Sequence, residues 1–518
     1  MVSLSFLAPF ALLIVAILAW RTPGRRPKRV PHLAEYATLA ALAFALFGLA
    51  QFAAMGPSTF TVLGGPAALM LEAKPVSLTL TLLVAFIGWV VIRYSRTYLD
   101  GEAQEGRFHA LMLATLAAVL VFVQSGSLAV LVLSSILVGL GLKNLLLYYA
   151  DRPEARRAST KFVLVWHCAD VALVLAAALL IGSYGTGDVS GISAAASHTG
   201  LTLGTTLAIA LVVLAAALKT AAFPLHGWLT EVMEAPTPVS ALLHAGIINS
   251  GGVLLISFAG LVQLSPGAMA ALVMLGGFTA LFGAAVMLTQ SAVKTSLAWS
   301  TVSQMGFLLL QCGLGLWALA LLHIVAHSLY KAHAFLSSGG AVQAVASLRR
   351  PGAIAVPSIG AVLKSFALAL ALYAVIATVF TLVIGPKSAQ ALALGAILIF
   401  GVAYLVAQGL ADHAPADLTR RTALASFAAA VAYFAFQAGA QAIWGPSLPA
   451  APVPGPLEWA LIVLAVASFG LVAFAQALFP LWSHHPATAG LRVHLTNGFY
   501  LNALLDRAIG GFSNPKTN

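Results

Sequence analysis

The feature that most constrains this chain is the recurrence, from end to end, of apolar runs about twenty residues long. A helix needs roughly 20 such residues to cross a hydrocarbon core about 30 Å thick. Hydrophobic residues make up 61% of the chain and charged residues 8%, and the mean hydropathy is +0.98. No soluble core absorbs that much apolar surface. In lipid every backbone amide must be satisfied internally, which leaves helices or a closed barrel. The runs are continuous rather than alternating, and this argues against a barrel. The expected fold is an all-α polytopic membrane protein with about 14–15 transmembrane helices by length and hydropathy. The runs fall near 2–20, 34–54, 76–97, 108–124, 127–149, 161–183, 203–222, 236–262, 267–289, 295–312, 315–337, 353–383, 389–410, 421–443 and 456–479.

Basic residues orient the chain. Arg21, Arg25, Arg26, Lys28, Arg29, Arg93, Arg96, Arg107, Arg152, Arg156, Arg157, Lys161, Arg349, Arg350, Arg420 and Arg421 all flank odd-numbered connections. The even-numbered connections carry only Lys74 and Lys387. The positive-inside rule then places the N-terminus outside, periplasmic in a bacterial inner membrane, and the C-terminus in the cytoplasm. The same pattern accounts for the formal net charge of +11 as topology anchors rather than a nucleic-acid surface. Val2–Trp20 lacks a basic leader and a small-residue cleavage site, so it reads as a retained first helix. Cys168 and Cys312 fall in apolar runs and suggest neither a disulfide framework nor a metal site.

Lys143, Lys219, Lys294, Lys331 and Lys364 fall in or at the edge of apolar runs, and every arginine lies in a loop, in the tail or at a helix end. Arginine never releases its proton in a protein, whereas a desolvated lysine does so readily. Ionisable groups at membrane depth mark ion paths. Snorkelling at a helix end accounts as well for Lys294 and Lys364. "LLHIVAHSLYKAHAF" spaces His323, His327 and Lys331 four residues apart on one helix face, about 6 Å per step. Such a stripe, with water between its groups, can relay protons. His333 points elsewhere. Asp170 is the acid facing this stock. Its depth nearly matches that of Lys143, so the two are expected to pair unless channel water solvates each separately.

"LKTAAFPLHGWLTEVMEAPTPVSALLHAG", Leu218–Gly246, gathers the polar residues that a bilayer penalises. Pro224 has no amide donor and clashes one turn back, so the helix must break just beyond Lys219. Irregular backbone at that depth persists only where protein or water satisfies it, the usual setting of a transporter ion site. Thr237 is a candidate N-cap ahead of Pro238. His244 lies within reach of Lys219. Glu231 and Glu234 belong to a solvated interfacial loop or, for Glu234, to the proton path. No metal-ligand spacing, phosphate loop or nucleophile motif is present, so the chain by itself is expected to hold no cofactor or metal and to do no covalent chemistry.

That stretch, followed by "SAVKTSLAWSTVSQMGF", "LLHIVAHSLYKAHAFLSSG" and the tail motif "NGFYLNALLDR", resembles the proton-conducting antiporter-like subunits of respiratory complex I and of Mrp antiporters. The resemblance implies two inverted five-helix repeats, about 108–262 and 263–410, after N-terminal helices 1–107 and before C-terminal helices and a tail, 411–518. It implies that Lys219 is the central lysine beside a broken helix and that His244 is a relay residue. Lys294, His323, His327 and Lys331 would form the central axis and second half-channel, and Asp170 an acid near the first. The family's glutamate on the fifth helix is absent, Ile136 standing in its place, and Lys143 is an addition. Within the family, "HGWLTEVMEAPTPVSALLHAGIINSGG" and "LLQCGLGL" are similar to the DabB membrane subunits of inorganic-carbon accumulation complexes. This implies a cytoplasmic zinc partner, DabA-like, whose carbonic-anhydrase-like site hydrates CO2 while protons or sodium run inward. The competing expectations are a complex I, hydrogenase or Mrp subunit, and a membrane scaffold with a vestigial ion path.

Overall fold

The computed structural model describes residues 2–340, 358–409, 416–478, 482 and 485–509. Arg349 and Arg350 lie outside the described residues. The helices are α1 Ala8–Trp20, α2 Val30–Met55, α3 Pro75–Tyr98, α4 Glu105–Val123, α5 Leu128–Leu146, α6 Pro153–Tyr184 and α7 Val189–Thr199. They continue as α8 Leu203–Lys219, α9 Gly227–Thr230, α10 Thr237–Ala245, α11 Ser250–Ser257, α12 Ala259–Val262, α13 Pro266–Met287, α14 Val293–Gly313 and α15 Trp317–Ser337. The chain then runs through α16 Ile359–Ile384, α17 Ala389–Gly409, α18 Ala416–Trp444, α19 Pro456–Ala477, α20 Ala489–Thr496 and α21 Leu501–Ala508. Eleven described segments are long and apolar enough to cross a membrane on their own. Within the described residues, each sequence run coincides with a helix or, for 236–262, with a chain of short ones. The protein is a multi-span helical membrane protein.

The ends of the helices follow local chemistry. Pro75, Pro153, Pro266 and Pro456 open helices at the first position, where the missing amide would go unpaired in any case. Ser265 and Thr202 cap α13 and α8 by accepting from the amides of Ala268 and Thr205. Gly185, at φ 66°, stops α6 in the left-handed conformation. Thr237 departs from expectation. Its hydroxyl caps nothing and instead bridges Tyr98 and Lys294.

Two elements had no counterpart in the apolar-run reading. Ser58–Leu63 and Leu69–Ala73 form an antiparallel hairpin, β1–β2, between α2 and α3. Its edge is closed by the α4–α5 turn, where the amides of Glu72 and Gly126 donate to Gln124 O and Met70 O. The Gly/Ser-rich stretch after α6 folds as α7, capped by Asp188, whose carboxylate accepts from the Ser190 amide at 2.9 Å. Both sit on the arginine-poor face.

The principal core runs through α1–α15, with a second cluster joining α13, α14, α17 and α19. α13 and α14 pack backbone to backbone through small residues, as helices in lipid do for want of a hydrophobic drive. A Cβ added at Gly276 would come within 2.4 Å of Leu310 N, and one at Gly306 within 2.4 Å of Ala280 N. Gly306→Val is therefore expected to force these helices apart and destabilise the chain by about 1–3 kcal/mol or more. A melting curve in detergent checks this, and an unchanged midpoint would contradict it.

Candidate ion pathway

α8 ends at Lys219, and the chain runs irregularly to Gly227. Ala221 takes φ 52°. The amide of Ala222 still reaches Ala217 O, and that of Phe223 donates to Thr279 Oγ on α13 at 3.1 Å. The break is thus satisfied by protein, as membrane depth requires. It frees the Lys219 side chain, fully buried, to reach α6. Lys219 Nζ donates to Asp170 Oδ1 at 2.8 Å and lies 3.8 Å from the centre of the Trp166 ring. Ser135 Oγ on α5 donates to the same carboxylate oxygen at 3.0 Å. Gly139 makes room for this arrangement, because a Cβ there would meet Trp166 at 2.5 Å.

Asp170 therefore pairs with Lys219, not with Lys143. The expected pair fails because Asp170 packs level with Ser135, eight residues and about 12 Å along α5 from Lys143. Asp170 stands 17 residues in, about 25 Å along the axis, whereas Lys143 is three residues from the end of α5, about 5 Å. Lys143 is half-buried. The acid missing from α5 is supplied by α6, and Ser135, next to Ile136, orients it.

A second cluster surrounds α15. Lys331 Nζ, buried, donates to Leu297 O at 2.9 Å and to Ser300 Oγ at 2.8 Å. Thr301 Oγ donates to the same Leu297 carbonyl and faces His244 Nδ1 at 3.0 Å. His244 stacks on Phe335, with ring centres 4.3 Å apart. It joins this cluster rather than Lys219. Its place follows from a second interruption, at Gly246 after α10, inside what the sequence showed as one continuous span. His327 Nε2 faces the His244 carbonyl at 3.0 Å, and Nδ1 faces Gln304 Oε1 at 2.9 Å. A carbonyl only accepts, so Nε2 carries a proton; Nδ1 then takes or gives one according to how the Gln304 amide is turned. His323 Nδ1 meets Gln311 Oε1 at 2.8 Å. Gln304, Gln311, Ser300 and Thr301 all lie on α14, an apolar helix whose polar stripe is legible in "SLAWSTVSQMGFLLLQ".

Between the two clusters lies a cavity of about 40 Å³, walled mainly by apolar side chains such as Leu80, Val123 and Ile324, with Ser135, Asn249, Ser250 and Ser328 as its polar groups. Asn249 Nδ2 donates to Ser328 Oγ at 3.0 Å, beside His327. A void needs about 10–15 Å³ of such space to hold a water, and polar partners to keep it there; the volume admits water, with Ser135, Asn249, Ser250 and Ser328 as the partners that would hold it.

The remaining expected residues fall elsewhere. Lys294 opens α14 and donates to Thr237 Oγ at 3.2 Å. Lys364 and His333 are exposed. Glu234 pairs with Arg152 at 3.0 Å on the surface. Lys161, read from sequence as a loop anchor, sits inside α6, wholly buried, against Glu231 and Asp506. Burial pushes the Glu231 carboxyl up, against the pull of Lys161 beside it.

A family model described as NADH:quinone oxidoreductase/Mrp antiporter, TM, matches residues 125–355. The chain is 36% identical over 527 aligned residues to the "Probable inorganic carbon transporter subunit DabB2" of Halothiobacillus neapolitanus, spanning 96% of this chain and 92% of that one. It is 45% identical over 285 residues to the "Probable inorganic carbon transporter subunit DabB" of Hydrogenovibrio crunogenus, 55% of each chain. NADH-quinone oxidoreductase subunit L of Mycobacterium tuberculosis shares 33% over 278 residues, 53% of this chain and 44% of that one. In fold, the chain is similar to one in the Mrp complex from Dietzia sp., at TM-score 0.59 and 24% identity, covering 100% of this chain and 58% of that one. It is equally similar, at TM-score 0.59 and 16% identity, to one in an archaeal membrane-bound sulfane sulfur reductase, covering 97% and 99%. Helical architecture and a broken helix beside a buried lysine define a membrane subunit of the cation-antiporter type. Within that class, the chain belongs to the DabB family of inorganic carbon transporter subunits.

Proposed function

We propose that this chain carries protons inward across a bacterial inner membrane and couples their flow to inorganic carbon uptake by a cytoplasmic partner. The observation that carries the reading is the buried Lys219–Asp170 pair at the helix break, with a second buried lysine, Lys331, in the cluster across a water-sized cavity. Protons would pass among Asp170, Lys219, the cavity, His327, His244 and Lys331, with His323 as the outlying station on α15. The partner is a DabA-like zinc protein with a carbonic-anhydrase-like site. The zinc and the hydration chemistry reside there; this chain supplies driving force. The arginine distribution supports an N-terminus outside and a C-terminus in the cytoplasm. Similarity along nearly the whole length of a DabB2 relative favours this over a complex I or Mrp role, where the likeness to subunit L spans about half the chain.

The test is uptake of labelled bicarbonate by cells expressing both subunits. Lys331→Ala and His327→Ala are each expected to lower gradient-dependent uptake by about 100-fold, the usual worth of a positioned proton carrier. Uptake that stays at the wild-type level would make the chain a scaffold. Collapse by a sodium ionophore but not by a protonophore would identify sodium as the ion.

A further inference from the structure

The C-terminal tail docks on the broken-helix segment itself. Asp506 of α21, 5% exposed, meets Lys161 Nζ at 2.6 Å, and Glu231 Oε1 meets the same nitrogen at 2.5 Å. One turn back on α21, Asn502 Nδ2 donates to Thr230 Oγ at 3.1 Å. A Cβ at Gly227 would fall 1.6 Å from Asn502 Oδ1, so glycine at the start of α9 is what admits the tail. Upstream, Thr496 O accepts from Gln290 Nε2 at 3.2 Å, and Phe499 packs on Phe282.

α9 leads directly back to the lysine. Trp228 Nε1 donates to Leu218 O, one residue before Lys219. Phe162, Trp166 and Trp228 are almost wholly buried and pack on one another with ring centres 5.0–6.0 Å apart. Lys161 and Asp170 are nine residues apart on α6, about 13 Å along the axis. The three rings fill the space between the two charged sites. Opening a wet route from Lys219 to the arginine-rich face requires these rings to part, and α9, which carries Trp228, is held by α21 from one side and, through its C-terminal neighbour Glu231, by Lys161 from the other.

We propose that α21 is an ionic latch that closes the cytoplasmic end of the Lys219 path, with Lys161 as the anchor and Asp506 as the pin. The proposal rests on the proton-path reading above. Two carboxylates share one buried ammonium, so withdrawal of α21 leaves Lys161 still paired with Glu231. The latch can lift without stranding a charge, which a single buried pair would not allow.

The full chain in proteoliposomes, with an entrapped pH dye, tests this. Asp506→Asn is expected to raise proton flux at least about fivefold, the lower end of coupling between distinct sites. In the same background Thr230→Cys, with Cys168→Ser, should react faster with an impermeant maleimide. Asn502→Ala, which keeps the ion pair, should raise flux by less. If Asp506→Asn does not assemble, Asn502→Ala alone carries the test. Flux equal to wild type in the variants that assemble overturns the latch. Adding Lys219→Ala to Asp506→Asn separates the two readings: raised flux that persists means the path through Lys219 falls and the latch on it falls too, whereas Lys219→Ala abolishing flux that Asp506→Asn leaves at wild type means the path stands and the latch alone falls.

Discussion

Lys219→Arg is expected to abolish proton flux, by about 100-fold or more, while the chain still assembles. A guanidinium retains the positive charge and meets a carboxylate with at least equal geometry, so the pair with Asp170 survives. What it loses is the capacity to give up a proton at any pH a protein tolerates. The site is tight, with Lys219 fully buried over Trp166, so the larger head adds an overpacking cost of about 1–3 kcal/mol. A melting curve measured beside the flux separates that cost from the chemistry. Flux near wild type in a folded Lys219→Arg chain would show that Lys219 acts only as fixed charge.

Asp170→Ala carries the second large effect, this time on stability. It leaves Lys219 buried without its counter-charge, and breaking a buried pair in this way costs about 3–5 kcal/mol. Asp170→Ala combined with Lys219→Met should recover most of that loss, because an apolar pair of similar volume is often neutral relative to an ion pair. The double variant is nonetheless expected to carry no protons. Lys143→Met, which removes a half-buried cation remote from Asp170, should move the melting midpoint by no more than about 0.5 kcal/mol equivalent. If Asp170→Ala melts like wild type, the pair is solvated rather than buried, and the depth argument for Lys219 fails with it.

The separation of Lys143 from Asp170 is not written in either apolar run. Hydropathy locates the part of a helix that lies in lipid, not the part that protrudes. α6 extends eight residues before its apolar run, since Pro153 can start a helix as well in water as in lipid. Lys161 therefore lies inside the helix rather than in a loop, and Asp170 packs level with Ser135 rather than with Lys143, which no run boundary reports. The break after Lys219 was readable, because proline acts on its own backbone. The interruption at Gly246 was not, because glycine permits a break without requiring one. The departure of His244 toward Lys331 follows from that interruption.

The sequence alone determined the class of fold, the span positions, the helix break and the stock of protonatable groups at membrane depth. Each of these is set by free energies local to a segment: the transfer of about twenty apolar residues into lipid, the missing amide of Pro224, and the high cost of a charge in hydrocarbon. Only the tertiary structure decided the pairing of those charges: Asp170 with Lys219, His244 with the Lys331 cluster, and Asp506 with Lys161 across more than three hundred residues of chain. A buried charge must find a partner within a few ångströms, and which one it finds depends on how long helices cross, something no single segment encodes.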